Sequence, residues 1–131
     1  MREILFRGKR IADGAWVEGD FEHFFTAAGI HCYVGKWGET PNTVDPDTVG
    51  EFSGKHDKND RRIFEGDIVD GLFRSATPLR AVCAFKDGAF GLAWTHGGVD
   101  YFSAFTSICN VEYEVVGNIY DNPEMLEQEV Q

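Results

Sequence analysis

The chain has 131 residues, of which 43% are hydrophobic, so it can build one core, but its longest apolar run is far shorter than the roughly 20 residues that cross a bilayer. Its 22 acidic and 12 basic residues give a net charge of −10, which argues against unspecific attraction to nucleic acid or anionic lipid. The length of the chain predicts one domain over residues 1–131. Because the N-terminus lacks the pattern of a signal peptide, we expect the protein to be located in the cytoplasm.

The first half of the chain contains three short segments that are typical of strands. Residues 3–7 and 15–18 each contain a short cluster of apolar side chains, and Ile30, Cys32 and Val34 alternate with more polar neighbours. That alternation is the period of a half-buried strand. The 11 Phe, 4 Tyr and 3 Trp residues also favour β structure, because flat bulky side chains pack well on a pleated surface.

The second half gives the clearest pattern. Residues 79–86 alternate, the turn at 86–88 leads into a second alternating run, and His96-Gly97-Gly98 returns the chain into residues 99–104. Two turn signals between alternating runs predict a three-stranded antiparallel meander over residues 79–104.

Two other segments have distinct compositions. Residues 36–50 are rich in glycine, proline and aspartate, which predicts a long loop or irregular crossing. Near the end, Asn122 precedes Pro123 and acidic residues follow, which is the pattern of a short helical turn over residues 122–128.

The three cysteines, Cys32, Cys83 and Cys109, give no metal-ligand spacing and no CxxC pair. We expect them to be reduced thiols buried as small hydrophobic side chains. His31 is adjacent to Cys32, but neighbouring strand residues point to opposite faces, so the pair does not predict a nucleophile and base. We assign no catalytic residue, cofactor or metal.

Several motifs in order along the chain carry a family resemblance. They are REILFR at residues 2–7, TVGEFSG at 48–54, DKN at 57–59, IFEGDIV at 63–69 and YEVVGNIYDNPE at 113–124. This set resembles the phage-encoded YopX family, and the central and closing motifs are the specific part of it.

The resemblance implies a phage or prophage origin, hence a bacterial host, and no assigned activity. It also implies a mainly β fold, a small SH3-like barrel with additional strands and a short C-terminal helical turn. The sequence departs from the family pattern at Lys55, where an apolar residue is usual, and at Asp60, where a glycine usually closes the turn. Since aspartate adopts the left-handed conformation less readily than glycine, the form of this turn is open.

The central motif supplies the candidate site, which we interpret as structural or as an interaction surface. Its polar turn offers Asx side chains to nearby backbone amides, and its Glu-Gly-Asp step predicts a sharp bend before an apolar strand. Two carboxylates two residues apart would also share a strand face, but a metal site needs a third ligand and none is near. The candidate residues are Asp57, Lys58, Asn59, Glu65, Gly66 and Asp67.

Three functional hypotheses follow. The first is a non-enzymatic accessory protein that contacts a host or phage protein or a second copy of itself as a homo-oligomer. The second is an acidic DNA mimic or regulatory inhibitor of a host nucleic-acid-binding protein, because residues 87–131 contain no lysine or arginine. The third is an enzyme whose site is assembled from residues distant in sequence.

Overall fold

The computed structural model describes residues 3–36, 38–73, 77–105 and 112–127. That part of the chain is mainly β, with eleven strands, a 3₁₀ turn at Pro46–Thr48 and one short helix. Contacts divide the chain into two compact units, residues 1–54 and 55–131. The strands are β1 Phe6–Lys9, β2 Trp16–Thr26, β3 Gly29–Gly35, β4 Asn42–Val44, β5 Gly50–His56, β6 Arg62–Phe64, β7 Asp67–Phe73, β8 Thr77–Lys86, β9 Ala89–His96, β10 Val99–Ala104 and β11 Tyr113–Asn118.

The first unit is an antiparallel sheet in the order β4-β3-β2-β1-β5. The predicted alternation in β3 is confirmed at Cys32 and Val34, which are buried on either side of the partly exposed Tyr33, but it is wrong at Ile30, which is 55% exposed. Cys32 and Val34 form a small core with Val44 of β4. The segment predicted as a long loop contains β4 and a 3₁₀ turn, Pro46–Thr48, in which the Asp45 side chain accepts a hydrogen bond from the Asp47 N–H.

Strand β2 is much longer than the predicted segment at 15–18. Its first four residues pair with β1, and residues 20–26 continue as a hairpin with β3. At Gly19 the two strands of the hairpin approach so closely that a Cβ would overlap the carbonyl group of Gly35. We call residues 20–31, which comprise the outer part of this hairpin and its Ala27-Ala28 turn, the aromatic arm.

The second unit contains the hairpin between the end of β5 and β6, and an antiparallel sheet in the order β10-β9-β8-β7-β11. The predicted meander at 79–104 is confirmed as β8, β9 and β10. The closing helix α1 spans Glu124–Glu127, inside the predicted helical turn. Side chains from five of these strands and from Phe105 form the larger core: Ile63, Val69, Ala81, Cys83, Leu92, Phe105, Tyr113 and Val115.

The mainly β prediction is confirmed, but within the described residues the barrel is not closed. Each sheet has a linear strand order, so β10 and β11 end the second sheet at opposite sides and do not pair with each other. The outer side of β11 hydrogen-bonds instead to a turn of the chain, described below. The prediction of one domain over residues 1–131 stays a prediction.

The cysteine prediction is confirmed for two of the three residues. Cys32 and Cys83 are buried, and neither forms a disulfide. Cys109 lies outside the described residues. In the described part of the chain, no helix is long and apolar enough to cross a membrane.

Candidate functional site

The first half of the candidate site is a tight turn organised by the Asp57 carboxylate. Its Oδ1 accepts hydrogen bonds from the N–H groups of Asn59 and Arg61, each at 2.9 Å. Its Oδ2 accepts a third, at 3.0 Å, from the N–H of Val115 in β11. The residue is only 7% exposed, so these backbone donors replace water around a buried charge.

This environment changes the acidity of Asp57. Burial is the largest single effect and would raise the pKa, because a charge is costly away from water. The hydrogen bonds from Val115, Arg61 and Asn59 act in the opposite direction, with help from the positive charge of Arg61. Together they hold the pKa of Asp57 below its ordinary value of 3.8, so the side chain is a carboxylate at neutral pH.

The same turn occupies the outer edge of β11. Besides the Val115 N–H bond to Asp57, the Lys58 N–H donates to the Tyr113 carbonyl at 2.8 Å, and the Arg61 guanidinium donates to the Val115 carbonyl at 3.2 Å. Backbone groups of Tyr113 and Val115 that would otherwise form an open sheet edge are therefore hydrogen-bonded. Covering an edge in this way prevents unwanted strand pairing.

The side chains of the two other turn residues point outward. Lys58 lies 3.5 Å from Glu114, and both side chains are 46% exposed, which is the geometry of a weak surface ion pair. Asn59 is exposed and contributes its backbone N–H to the turn. Asp60 closes the turn with φ = 64°, so aspartate takes the left-handed conformation that glycine usually takes at this point.

The second half of the candidate site is the bend at Gly66. This glycine has φ = 90°, and a Cβ there would lie 3.0 Å from Cε2 of Tyr120. Its N–H donates to the Cys83 carbonyl, and its carbonyl accepts from the Ile119 N–H, both at 2.9 Å. The bend thus connects β8 to the closing motif by backbone hydrogen bonds.

Asp67 and Glu65 differ sharply in environment. Asp67 is 2% exposed, and its Oδ2 accepts the Phe64 N–H at 2.8 Å, which closes the bend. Glu65 is half-buried. The left-handed backbone at Gly66 interrupts the extended geometry that would place both carboxylates on one strand face. Among the described residues, no group of three or more His, Cys, Asp or Glu side chains could hold a metal ion.

The structure therefore divides the predicted residues into two groups along β11. The Asp57 turn contacts the start of this strand, and the Gly66 bend contacts the residues that follow it. The closing motif has its own turn, in which Oδ1 of Asn118 accepts the N–H groups of Tyr120 and Asp121 at 3.0 and 2.9 Å. The bonds from the Asn59 and Arg61 N–H groups to Asp57 are the local Asx contacts that the sequence predicted, whereas its bond from Val115 was not predicted.

Sequence reasoning missed the aromatic arm. Phe21, His23 and Phe25 form a row on one face of β2, with ring centroids 5.4 and 6.2 Å apart. On the other face, Phe24 stacks on Tyr33 at 5.3 Å. The alternation of residues 21, 23 and 25 was the available signal, but the adjacent Phe24 obscured it.

The arm exposes large apolar side chains on both faces. Phe25 is 72% exposed and its cross-strand neighbour Ile30 is 55% exposed, while Phe24 on the opposite face is 46% exposed. Residues 23–31 contain no Asp, Glu, Lys or Arg. On a chain of net charge −10, this stretch without charged side chains is a candidate contact surface, since contiguous exposed apolar surface commonly marks an interaction site.

A shallow cleft of about 250 Å³ lies on the second sheet. Arg80 and Asp100 line it, but Arg80 already forms a two-pronged ion pair with Asp70 at 2.7 and 2.8 Å. Asp100 accepts a 2.7 Å hydrogen bond from the Thr95 hydroxyl. Arg80 and Asp100 therefore already have partners, and Lys86 is the remaining charged side chain in the lining. The cleft thus offers a weaker case for ligand binding than the arm does for protein contact.

Fold and surface together define a mainly β protein with antiparallel sheets and an exposed aromatic hairpin. The sequence model of the YopX protein family matches residues 12–127, so the chain belongs to the YopX family. The crystal structure of protein EF1440 from Enterococcus faecalis is similar in fold, with a TM-score of 0.54 and 23% identity over 96% of this chain and 99% of that chain. Comparison with curated proteins gives no match.

Proposed function

We propose that this protein is a phage- or prophage-derived accessory protein that acts by protein–protein contact and without catalysis, in the cytoplasm of its bacterial host. The observation that carries the proposal is the aromatic arm. Family membership provides the context but names no activity. Function must therefore be argued from the surface that the fold presents.

The arm is unfavourable in free energy when no partner covers it. A two-stranded ribbon in water is marginally stable, and Phe24, Phe25 and Ile30 leave apolar area in contact with solvent on both faces. Burying a phenylalanine side chain contributes about 1.5–3 kcal/mol, so a partner that covers these residues gains substantially. Because residues 23–31 carry no formal charge, the contact would be apolar rather than ionic.

The candidate carboxylates support a role without catalysis. Three backbone donors engage Asp57, and the buried Asp67 closes a bend. A general base must present a lone pair to its substrate, whereas these oxygens bind the backbone of their own fold.

Site-specific photo-crosslinking tests the proposal. A photoreactive phenylalanine analogue at position 25 should give discrete adducts when the protein is expressed in its bacterial host from its own genomic locus. The matched control is the same analogue at Phe85, which is also an exposed strand phenylalanine, 51% exposed, but lies outside the arm. Adducts of defined mass at 25 and none at 85 are expected. Equal labelling at both positions, or none at 25, would contradict a role for the arm.

A second candidate, an acidic DNA mimic, is favoured by charge. Residues 67–131 contain 10 acids and 3 bases, and the bases end at Lys86. A mimic would bind a basic protein through many charge pairs, so its complex should dissociate as salt rises to about 1 M. A contact through Phe24, Phe25 and Ile30 of the arm should persist at that salt, and this difference separates the two functions.

A further inference from the structure

We propose that two copies of this chain pair edge to edge through β2 of their aromatic arms, antiparallel about a two-fold axis at His23. The inference rests on the proposed function, because it names the protein that the arm contacts. In the described residues, β1 pairs with β2 only as far as Gly19, so residues 20–26 have β3 on one side and an open edge on the other.

The hairpin register decides which backbone groups are on that open edge. Thr26 and Gly29 flank a two-residue turn and form its closing pair. In such hairpins the closing pair is hydrogen-bonded, and hydrogen-bonded and non-hydrogen-bonded pairs then alternate along the strands. The backbone groups of Thr26 and of every second residue before it therefore face β3. Those of Phe21, His23 and Phe25 face outward.

These three outward residues are symmetric about His23. When His23 lies opposite His23 of a second copy, Phe21 of each copy lies opposite Phe25 of the other. All three pairs then present N–H and C=O groups to one another, which gives about six backbone hydrogen bonds. This register spans residues 20–26 of both copies and ends where β1 begins to pair with β2 at Gly19.

The side chains fit the same register. Phe25, the most exposed aromatic of the arm, would pack against Phe21 of the second copy and continue the ring row on that face. On the other face, Glu22 lies opposite Phe24 and Asp20 opposite Thr26. No two like charges are directly opposite, although each chain carries a net charge of −10.

A second copy thus pairs with the open edge of the arm and also covers its exposed rings. Strand addition provides the backbone hydrogen bonds, and the symmetric Phe-His-Phe pattern specifies the identical segment as the added strand. A two-fold contact of this kind is closed, so it predicts a dimer rather than a filament.

Opposite charges at one exposed position test the register. Phe24→Lys would place a lysine opposite Glu22 of the second copy and should leave the dimer intact. Phe24→Glu would place a glutamate there and should raise the dimer Kd at least tenfold. Sedimentation velocity over a range of protein concentrations measures both variants, and thermal melts establish that each is folded.

His23→Lys probes the axis itself, because two lysines would then face each other, and it should also dissociate the dimer. The inference is overturned if the wild type is monomeric at about 100 µM, or if both Phe24 variants associate alike. It is also overturned if His23→Lys has no effect. If the wild type is monomeric while the analogue at position 25 still gives a specific adduct with another protein, the arm remains a contact surface and only its assignment to a second copy fails.

Discussion

Replacement of Asp57 by alanine should destabilise the second unit strongly. The substitution removes the acceptor of three backbone N–H groups, from Asn59, Arg61 and Val115. Asn59 and Arg61 are exposed, so water can replace part of their loss. The Val115 bond is buried, and Val115 itself is 6% exposed, so its N–H would be left without an acceptor.

The different environments of these three N–H groups determine how much stability Asp57→Ala loses. A buried donor that loses its partner costs about 1–3 kcal/mol, and two partly solvated bonds to a charged acceptor add about 1 kcal/mol more. We therefore expect Asp57→Ala to lower the free energy of unfolding by about 2–4 kcal/mol. For a chain of this size that corresponds to a fall in Tm of roughly 10 °C.

Urea denaturation at pH 7, followed by tryptophan fluorescence, measures the change. Lys58→Ala is the matched control, because its ion pair with Glu114 is surface-exposed and should contribute less than about 0.5 kcal/mol. If Asp57→Ala unfolds within about 0.5 kcal/mol of the wild type, the three hydrogen bonds do not support the fold and the reasoning is refuted.

The same reasoning predicts a pH dependence with a definite sign. The pKa of Asp57 is lower in the folded state than its ordinary value of 3.8, so the unfolded chain takes up this proton first as the pH falls. The stabilisation by Asp57 is therefore complete well above pH 3.8 and decreases as the pH falls below that value towards the folded pKa. The stability difference between wild type and Asp57→Ala should decrease over this range, and a constant difference would contradict the assignment.

Four further predictions concern the remaining motif residues and nucleic acid. Gly66→Ala should cost about 1–2 kcal/mol in a thermal melt, since it combines a positive φ with a Cβ 3.0 Å from Tyr120; an unchanged Tm would mean that the bend relaxes freely. Asp67→Ala should cost about 1–3 kcal/mol because the buried Phe64 N–H loses its acceptor, and a melt like that of the wild type would argue for a functional role instead. Asp60→Gly should stabilise by about 0.5 kcal/mol, because glycine adopts φ = 64° without the steric cost of a side chain; destabilisation would show that the Asp60 side chain supports the turn. Random duplex DNA should give no mobility shift at physiological salt, and a tight salt-sensitive shift would contradict the charge argument.

Local sequence patterns determined the elements whose partners are near in the chain. The meander at 79–104 could be predicted because each of its strands pairs with the next one through a short turn, so alternation and glycine turns contain the necessary information. The same applies to the burial of Cys32 and Val34 in β3, though not of Ile30, and to the closing helical turn, where Asn122-Pro123 marks the start. The ordered motifs of the chain also sufficed to indicate its family.

Only the tertiary structure decided what the candidate residues contact. The Asp57 carboxylate binds the N–H of Val115, which is 58 residues away in sequence, and no local pattern specifies a partner at that separation. The exposure of Phe25 could not be predicted from the sequence either. A phenylalanine in an alternating strand is normally buried, but this one is 72% exposed, in the part of β2 that lies beyond the pairing with β1. Sequence specifies which side chains could be buried, whereas the lengths and order of the neighbouring strands decide which of them are.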